Sequence, residues 1–316
     1  MIDRRTFVTR SAAAGAGLAI YPAARLAALE SGLASSPSLF EISLAQWSLH
    51  RTLQSGELDA LEFPTFARET FDLGAVEYVN RFFQDRAEDH AYLEELRTRA
   101  SDSDVRSLLI MVDGEGRLGD PDALLRTEAV EKHYRWVTAA RFLGCHSIRV
   151  NAASVGSPDT QRELAVDGLR RLTDFASDHD LNVIVENHGG LSSNGTWLAE
   201  VIRQVEHSRC GTLPDFGNFD LGDGQSYDRY QGVRELMPFA QAVSAKSYAF
   251  GPDGNETTID FQRMMRIVLE VGYRGYLGIE FEGDDLAEIE GIRATKSLLE
   301  AIRSEFEADP AFEAGT

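Results

Sequence analysis

The chain has 316 residues, 43% of them hydrophobic and 26% charged, and its 51 acidic against 31 basic side chains give a formal net charge of −20. A field that negative argues against nucleic acid, whose phosphates reward Lys and Arg, and disfavours anionic membranes and, more weakly, anionic substrates.

At the N-terminus, Asp3-Arg4-Arg5-Thr6-Phe7-Val8 precedes an uncharged, moderately apolar run from Ser11 to Ile20. A paired arginine ahead of such a run reads as a twin-arginine export signal, here over 1–36, which implies a periplasmic protein exported already folded. The run is far shorter than the ~20 apolar residues a membrane span requires. Removing Arg4, Arg5, Arg10 and Arg25 with Asp3 and Glu30 takes away a net +2 and leaves the mature chain near −22. No later stretch is long and apolar enough to cross a bilayer.

Eight apolar runs follow: Phe40–Trp47, Ala75–Val79, Arg106–Val112, Ser147–Asn151, Asn182–Glu186, Gly211–Asp215, Ala242–Lys246 and Tyr276–Phe281. Between them, apolar residues recur at three- and four-residue spacing, as in Glu163–His179 and Phe261–Val271. Several of these helical patterns end on glycine just before the next run, at Gly74, Gly144 and Gly272, the residue that most readily takes the left-handed turn closing a helix. Strand, helix, glycine, strand is the rhythm of parallel βαβ units. The fold class is therefore α/β, a single (β/α)8 TIM barrel over 37–304, with an acidic tail at 305–316. An open doubly wound sheet is disfavoured, because no glycine-rich phosphate loop follows the first strand. Cys145 and Cys210 fall at the starts of strands four and six, with a strand between them, too far apart for a disulfide. They are expected as buried thiols.

Polar residues recur where these runs end. Glu186, Asp215, Ser244, Lys246 and Glu280 are spaced by 29 residues (186 to 215, and 215 to 244) and 34 (246 to 280), about one strand-plus-helix unit. In a closed barrel those strand ends converge on one mouth, where such folds place their chemistry. Alternation along a strand puts Glu186 with His188, Ser244 with Lys246 and Tyr248, and Glu280 with Glu282 on common faces. Upstream, Gln46, Asp113, Arg149 and Asn151 belong to strands one, three and four or follow them, Glu77 lies in strand two with Asn80 just beyond it, and all six are candidate substrate contacts. Trp47, Tyr78, Phe82, Phe83 and Phe216 are candidates for an apolar wall against a sugar ring. A single carboxylate at a strand end more often caps a helix or meets solvent. Three of them on neighbouring units need a cation to stay ionised together.

Glu at the end of strand five, an Asp-x-Gly-Asn turn after strand six, a Lys at the end of strand seven and Gly-x-Glu in strand eight resemble the xylose-isomerase-like barrels, a superfamily of sugar isomerases, epimerases and dehydratases. The resemblance covers about residues 40–300. It implies a divalent metal held by Glu186, Asp215 and Glu280, manganese first, with magnesium, cobalt or zinc as alternatives. It also implies that Glu186 and Glu280 shuttle protons beside a carbonyl. The fourth ligand departs from the pattern: where a histidine is implied two residues before Lys246, this chain has Ser244, a poor replacement for imidazole. Two outcomes stay open. The metal is retained with His188, Ser244 or water in the gap, or Lys246 does its electrostatic work.

The function expected is a sugar isomerase, epimerase or keto-glycoside lyase. It would abstract a proton next to a carbonyl of a neutral sugar, keto-sugar or cyclitol, with Glu186, Glu280, His188 and Lys246 as catalytic residues. The alternative is a non-catalytic periplasmic sugar-binding barrel; an endonuclease-like hydrolase would need more histidines and a basic face. The expected partner is a small-molecule carbohydrate, with no nucleic acid and no membrane after signal removal, and a homodimer is left open.

Overall fold

The computed structural model describes residues 38–312. The export signal read over 1–36 and the last four residues of the chain lie outside the described residues. Eight parallel strands form one curled sheet: β1 (Glu41–Ala45), β2 (Ala75–Val79), β3 (Arg106–Met111), β4 (Ser147–Val150), β5 (Asn182–Glu186), β6 (Cys210–Leu213), β7 (Val243–Ser247) and β8 (Tyr276–Phe281). Each pairs with its sequence neighbour from β1 to β6 and from β7 to β8, and β1 pairs with β8.

The last seam joins β6 to β7 through backbone bonds rather than a continuous ladder. Gln241 N donates to Thr212 O (3.0 Å), Ser244 N to Pro214 O (3.0 Å) and Phe216 N to Ser244 O (3.1 Å). Pro214 has no N–H to give, so the ladder breaks there and the chain turns out at Asp215. For this reason β6 is shorter than the run Gly211–Asp215 suggested. The same trimming acts on β1, whose apolar run continues past Ala45 as a 3-10 turn over Gln46–Leu49.

Helices α1 (His50–Ser55), α2 (Phe63–Phe71), α3 (His90–Asp102), α4 (Ala123–Leu143), α5 (Pro158–Ser177), α6 (Gly195–Val205), α7 (Arg229–Leu236), α8 (Phe261–Glu270) and α9 (Glu288–Glu307) connect or follow the strands. The starts of α3 to α8 are set by side-chain caps, Asp89, Asp122, Ser157, Asn194, Asp228 and Asp260, each accepting from a first-turn N–H. Gly144 closes α4 at φ 82°, as the glycine rhythm predicts. In α2, Asp72 rather than Gly74 takes the left-handed turn, at φ 52°, a conformation Asp tolerates better than most residues.

The main core lies between sheet and helices. A second, small cluster fills the barrel itself: Ala45, Val79, Leu109, Met111, Ile184, Leu213 and Ala242. This plug makes the barrel a packed body rather than a pore, so chemistry is confined to its mouth. Residues 305–312, read as the start of an acidic tail, are ordered structure. α9 runs to Glu307, and Phe312 is buried with its ring 4.7 Å from that of Phe306. Both cysteines are buried and unbridged, as expected.

Candidate active site

Above the apolar plug, two charged clusters meet. The first is built on Arg149 of β4, 4% exposed. Its Nη1 donates to Asp113 Oδ1 at 2.7 Å, and its Nε stands 2.7 Å from Glu186 Oε2. The latter is charge contact without hydrogen-bond alignment, since neither atom has a hydrogen-bond partner. Asn151 Nδ2 donates to Asp113 Oδ1 at 2.8 Å. Burial alone would raise the Asp113 pKa, but Arg149, His188 and Asn151 outweigh it and hold the carboxyl down at about 2. Burial would likewise weaken the Arg149 charge, and Asp113 and Glu186 reverse that.

The second cluster is built on Lys246 of β7, 2% exposed. Its Nζ lies 3.0 Å from Glu280 Oε1, 3.0 Å from Glu282 Oε2 and 3.8 Å from Asp215 Oδ2. Ser244 Oγ sits between two carboxylates, 2.8 Å from Asp215 Oδ2 and 3.0 Å from Glu280 Oε2. Burial works against the ammonium, but Asp215, Glu280 and Glu282 prevail and hold its pKa well above the ordinary value. Burial also raises Asp215, eased by Lys246. Glu280 is lowered, because Lys246, Arg149 and Ser244 overcome its burial.

Asn218 joins the clusters. Its Nδ2 donates to Glu186 Oε1 at 2.7 Å, and its Oδ1 accepts from Lys246 Nζ at 3.2 Å. The Asp215-Phe216-Gly217-Asn218 turn fixes it, with Asp215 Oδ1 accepting from the N–H groups of Gly217 and Asn218 (2.7 Å each). Gly217 is required here: a Cβ would stand 2.3 Å from the Tyr248 hydroxyl and 2.8 Å from the Lys246 side chain.

The strand-end residues expected at the mouth are therefore largely brought together: Asp113, Arg149, Asn151, Glu186, Asp215, Ser244, Lys246 and Glu280. His188 follows β5 at the exposed rim, with its backbone N–H donating to Ser192 Oγ (3.0 Å) and its ring close enough to influence Asp113. Asn80 serves as a brace, exchanging hydrogen bonds with the Asp113 backbone (2.9 and 3.0 Å). Gln46 is buried, with Oε1 accepting from Val79 N (2.9 Å) and Nε2 without a partner. Glu77 stands apart. It accepts from Ser43 Oγ at 2.6 Å and lines a cavity of about 190 Å³ with His146, Gln241, Tyr273 and Gly275, which lie at the opposite, N-terminal ends of the strands.

Of the candidate apolar wall, only Trp47 and Phe82 remain half-buried beside the inner cluster, with ring centroids 5.9 Å apart. Tyr78, Phe83 and Phe216 point outward into the main core. The Trp47 indole N–H donates to Glu282, and the Arg81 guanidinium covers its ring at 5.7 Å. Two further polar residues belong to the site, Asn218 and Glu282, which the sequence places on the turn and on the face of Glu280 without assigning them a role. The Asp-x-Gly-Asn turn and the alternation Glu280, Glu282 were the available signals.

The family model for the xylose isomerase-like TIM barrel matches residues 66–304. The chain belongs to the xylose isomerase-like TIM-barrel family. Over 145 residues it is 25% identical to an inosose dehydratase of Geobacillus thermodenitrificans (39% of this chain, 47% of that protein), so the chain spans under half the length of the curated relatives it matches. The crystal structure of a 3-keto-D-glucoside 4-epimerase from E. coli superposes at a TM-score of 0.63 with 16% identity, covering 77% of this chain and 94% of that one. A family barrel from Mycobacterium smegmatis in complex with magnesium superposes at 0.64 with 16% identity, over 85% and 99%.

The donor set of this chain fits such an ion poorly. Asp215, Glu280 and Glu186 are each committed to Ser244, Lys246, Arg149 or Asn218. Among the described residues no group of three or more His, Cys, Asp and Glu side chains is arranged to hold a metal ion. The expected ligand trio thus meets as a charge cluster and not as a coordination sphere.

Proposed function

We propose that this barrel is a sugar-modifying enzyme that moves a proton at a carbon next to a carbonyl, as an isomerase, epimerase or β-eliminating lyase of a neutral sugar, keto-sugar or cyclitol. The observation that carries this reading is the pairing of Glu186 and Glu280 across Asn218 and Lys246 at one mouth. Two carboxylates facing one volume suit removal of a proton by one and its return by the other. In this reading Glu186 and Glu280 are the proton carriers, and Asp113, Asn151 and the rim His188 hold substrate hydroxyls. Phe82, half-buried beside the cleft, offers an apolar surface against a sugar ring.

A cleft of about 550 Å³ opens beside Phe82 and Arg81, lined also by Leu58, Asp59 and Tyr92, and suits a substituent carried by the sugar. Five carboxyl groups (Asp113, Glu186, Asp215, Glu280 and Glu282) face the two cations Arg149 and Lys246 in this region, which favours a neutral substrate over a phosphorylated one. Names among the relatives, an inosose dehydratase and a 3-keto-glucoside epimerase, support a keto-sugar or cyclitol as the first substrate class to try.

The test is solvent exchange. Incubated with 3-keto-glucosides and inososes in deuterated water, the protein is expected to incorporate deuterium beside the carbonyl. Glu186→Gln and Glu280→Gln are each expected to slow this by ~10²-fold or more, the range a positioned acid–base group contributes. Binding of these sugars without any exchange would refute the enzyme reading in favour of a sugar-binding barrel.

A further inference from the structure

The chemistry proposed above builds negative charge on a carbonyl oxygen, and something positive must meet it. β7 carries Ser244 and Lys246 on one face, two residues apart. Ser244 Oγ lies 2.8 Å from Asp215 Oδ2 and 3.0 Å from Glu280 Oε2, in the gap where the resemblance implies an imidazole ligand. The Lys246 stem then carries Nζ to within 3.0 Å of Glu280 and of Glu282 and 3.8 Å of Asp215. A divalent ion held by Asp215 and Glu280 at ~2.0–2.2 Å would stand almost against that ammonium, with a hydroxyl in place of its nitrogen donor.

We propose that Lys246 is the resident cation of this site and that Ser244 closes the vacated ligand position, so that the barrel works without a divalent metal. Lys246 holds the three carboxylates together at rest. Once a substrate carbonyl enters, its N–H donors can turn to the oxygen where charge develops, with no bond made to the nitrogen. The role given to the substrate carbonyl rests on the proton-transfer reading; the absence of a metal requirement rests on Ser244 and Lys246 alone.

The decisive measurement is Mn2+ binding by the wild-type protein, purified without chelator. It combines elemental analysis with equilibrium dialysis, free Mn2+ being followed by its paramagnetic resonance. We expect substoichiometric metal on purification and no saturable binding at micromolar Mn2+. The variant combining Ser244→His with Lys246→Met, which restores a nitrogen donor and removes the competing charge, is expected to bind Mn2+ at least ~10-fold more tightly than wild type. Stoichiometric Mn2+ on the wild-type protein, or deuterium exchange that chelator abolishes and Mn2+ restores, would overturn the proposal. The wild-type measurement decides even if the double variant does not fold. Absence of both metal and exchange would sink the proposed function and leave this inference standing.

Discussion

Glu77 offers the most direct check on the electrostatics of the barrel interior. It is 1% exposed, its Oε1 accepts from Ser43 Oγ at 2.6 Å, and its Oε2 has no partner. Burial is the main cause that lifts its pKa from 4.5 to about 7, partly relieved by Ser43 and reinforced by Glu280 and Glu186. The sign follows from the two end states. The unfolded chain loses this proton near the ordinary carboxyl pKa, whereas the folded protein keeps it until about pH 7. Stability that is fully present below pH 4.5 is therefore lost progressively as pH rises to 7. At 1.36 kcal/mol per tenfold change, the gap corresponds to about 3 kcal/mol. Glu77→Gln keeps the shape and the acceptor for Ser43 and removes the titration. Urea unfolding of both proteins at pH 4.5 and pH 7.5 isolates the effect. The stability of Glu77→Gln relative to wild type is expected to increase by about 3 kcal/mol between the two pH values. Any constant cost of the new amide, and the titration of Asp215 present in both proteins, cancel in that comparison. A relative stability that does not change with pH would refute the reasoning and place Glu77 in a solvated environment.

Arg149→Met is expected to destabilise the fold by ~3–5 kcal/mol, because Glu186 would be left buried, and Asp113 half-buried, without their shared cation. A loss below ~1 kcal/mol by urea unfolding would show that these carboxylates are compensated elsewhere. Export is tested by Arg4→Lys with Arg5→Lys, which is expected to leave the protein in the cytoplasm with its N-terminus intact, since the arginine pair is a receptor-read address. Normal processing of that variant would dismiss the periplasmic proposal.

The barrel was legible because its signals are local. Apolar runs, left-handed closures such as Gly144 and the spacing of about thirty residues each report on one βα unit, and eight consistent units leave one closed arrangement. The features that escaped are those set by two strands at once. Pro214 lies inside an apolar run, and only its position beside β7, one residue before the isolated Asp215–Ser244 bridge, shows that its missing N–H breaks the ladder. Glu77, a polar residue in strand two, stands among the candidate substrate contacts, and its strand alone does not say at which end of the barrel it lies. How deep a residue lies depends on the stagger between strands, which no single strand encodes. Here that stagger sets Glu77 opposite Leu109, level with the apolar plug and near the N-terminal cavity. The aromatic wall fails in the same way: Tyr78 and Trp47 look alike in the sequence, yet one faces the helices and the other the mouth.

The choice between a metal and Lys246 turns on a different kind of information. Strand alternation predicts that Ser244 and Lys246 share a face, and the departure from a histidine ligand is visible in the sequence itself. Neither observation says where the ammonium ends up, because a four-carbon stem can reach solvent, a helix terminus or the carboxylates with similar ease. What decides is the surroundings contributed by other strands. Gly217 clears the space beside the Lys246 stem, the Asp215 turn presents the side-chain Oδ1 of Asn218 at 3.2 Å, and Glu282 adds a carboxylate at 3.0 Å. Together with Glu280 these groups engage the ammonium on several sides within the mouth, which leaves it little reason to turn to solvent. A lysine so held has a fixed position as well as a fixed charge, and a fixed position is what electrostatic stabilisation of a developing oxyanion requires.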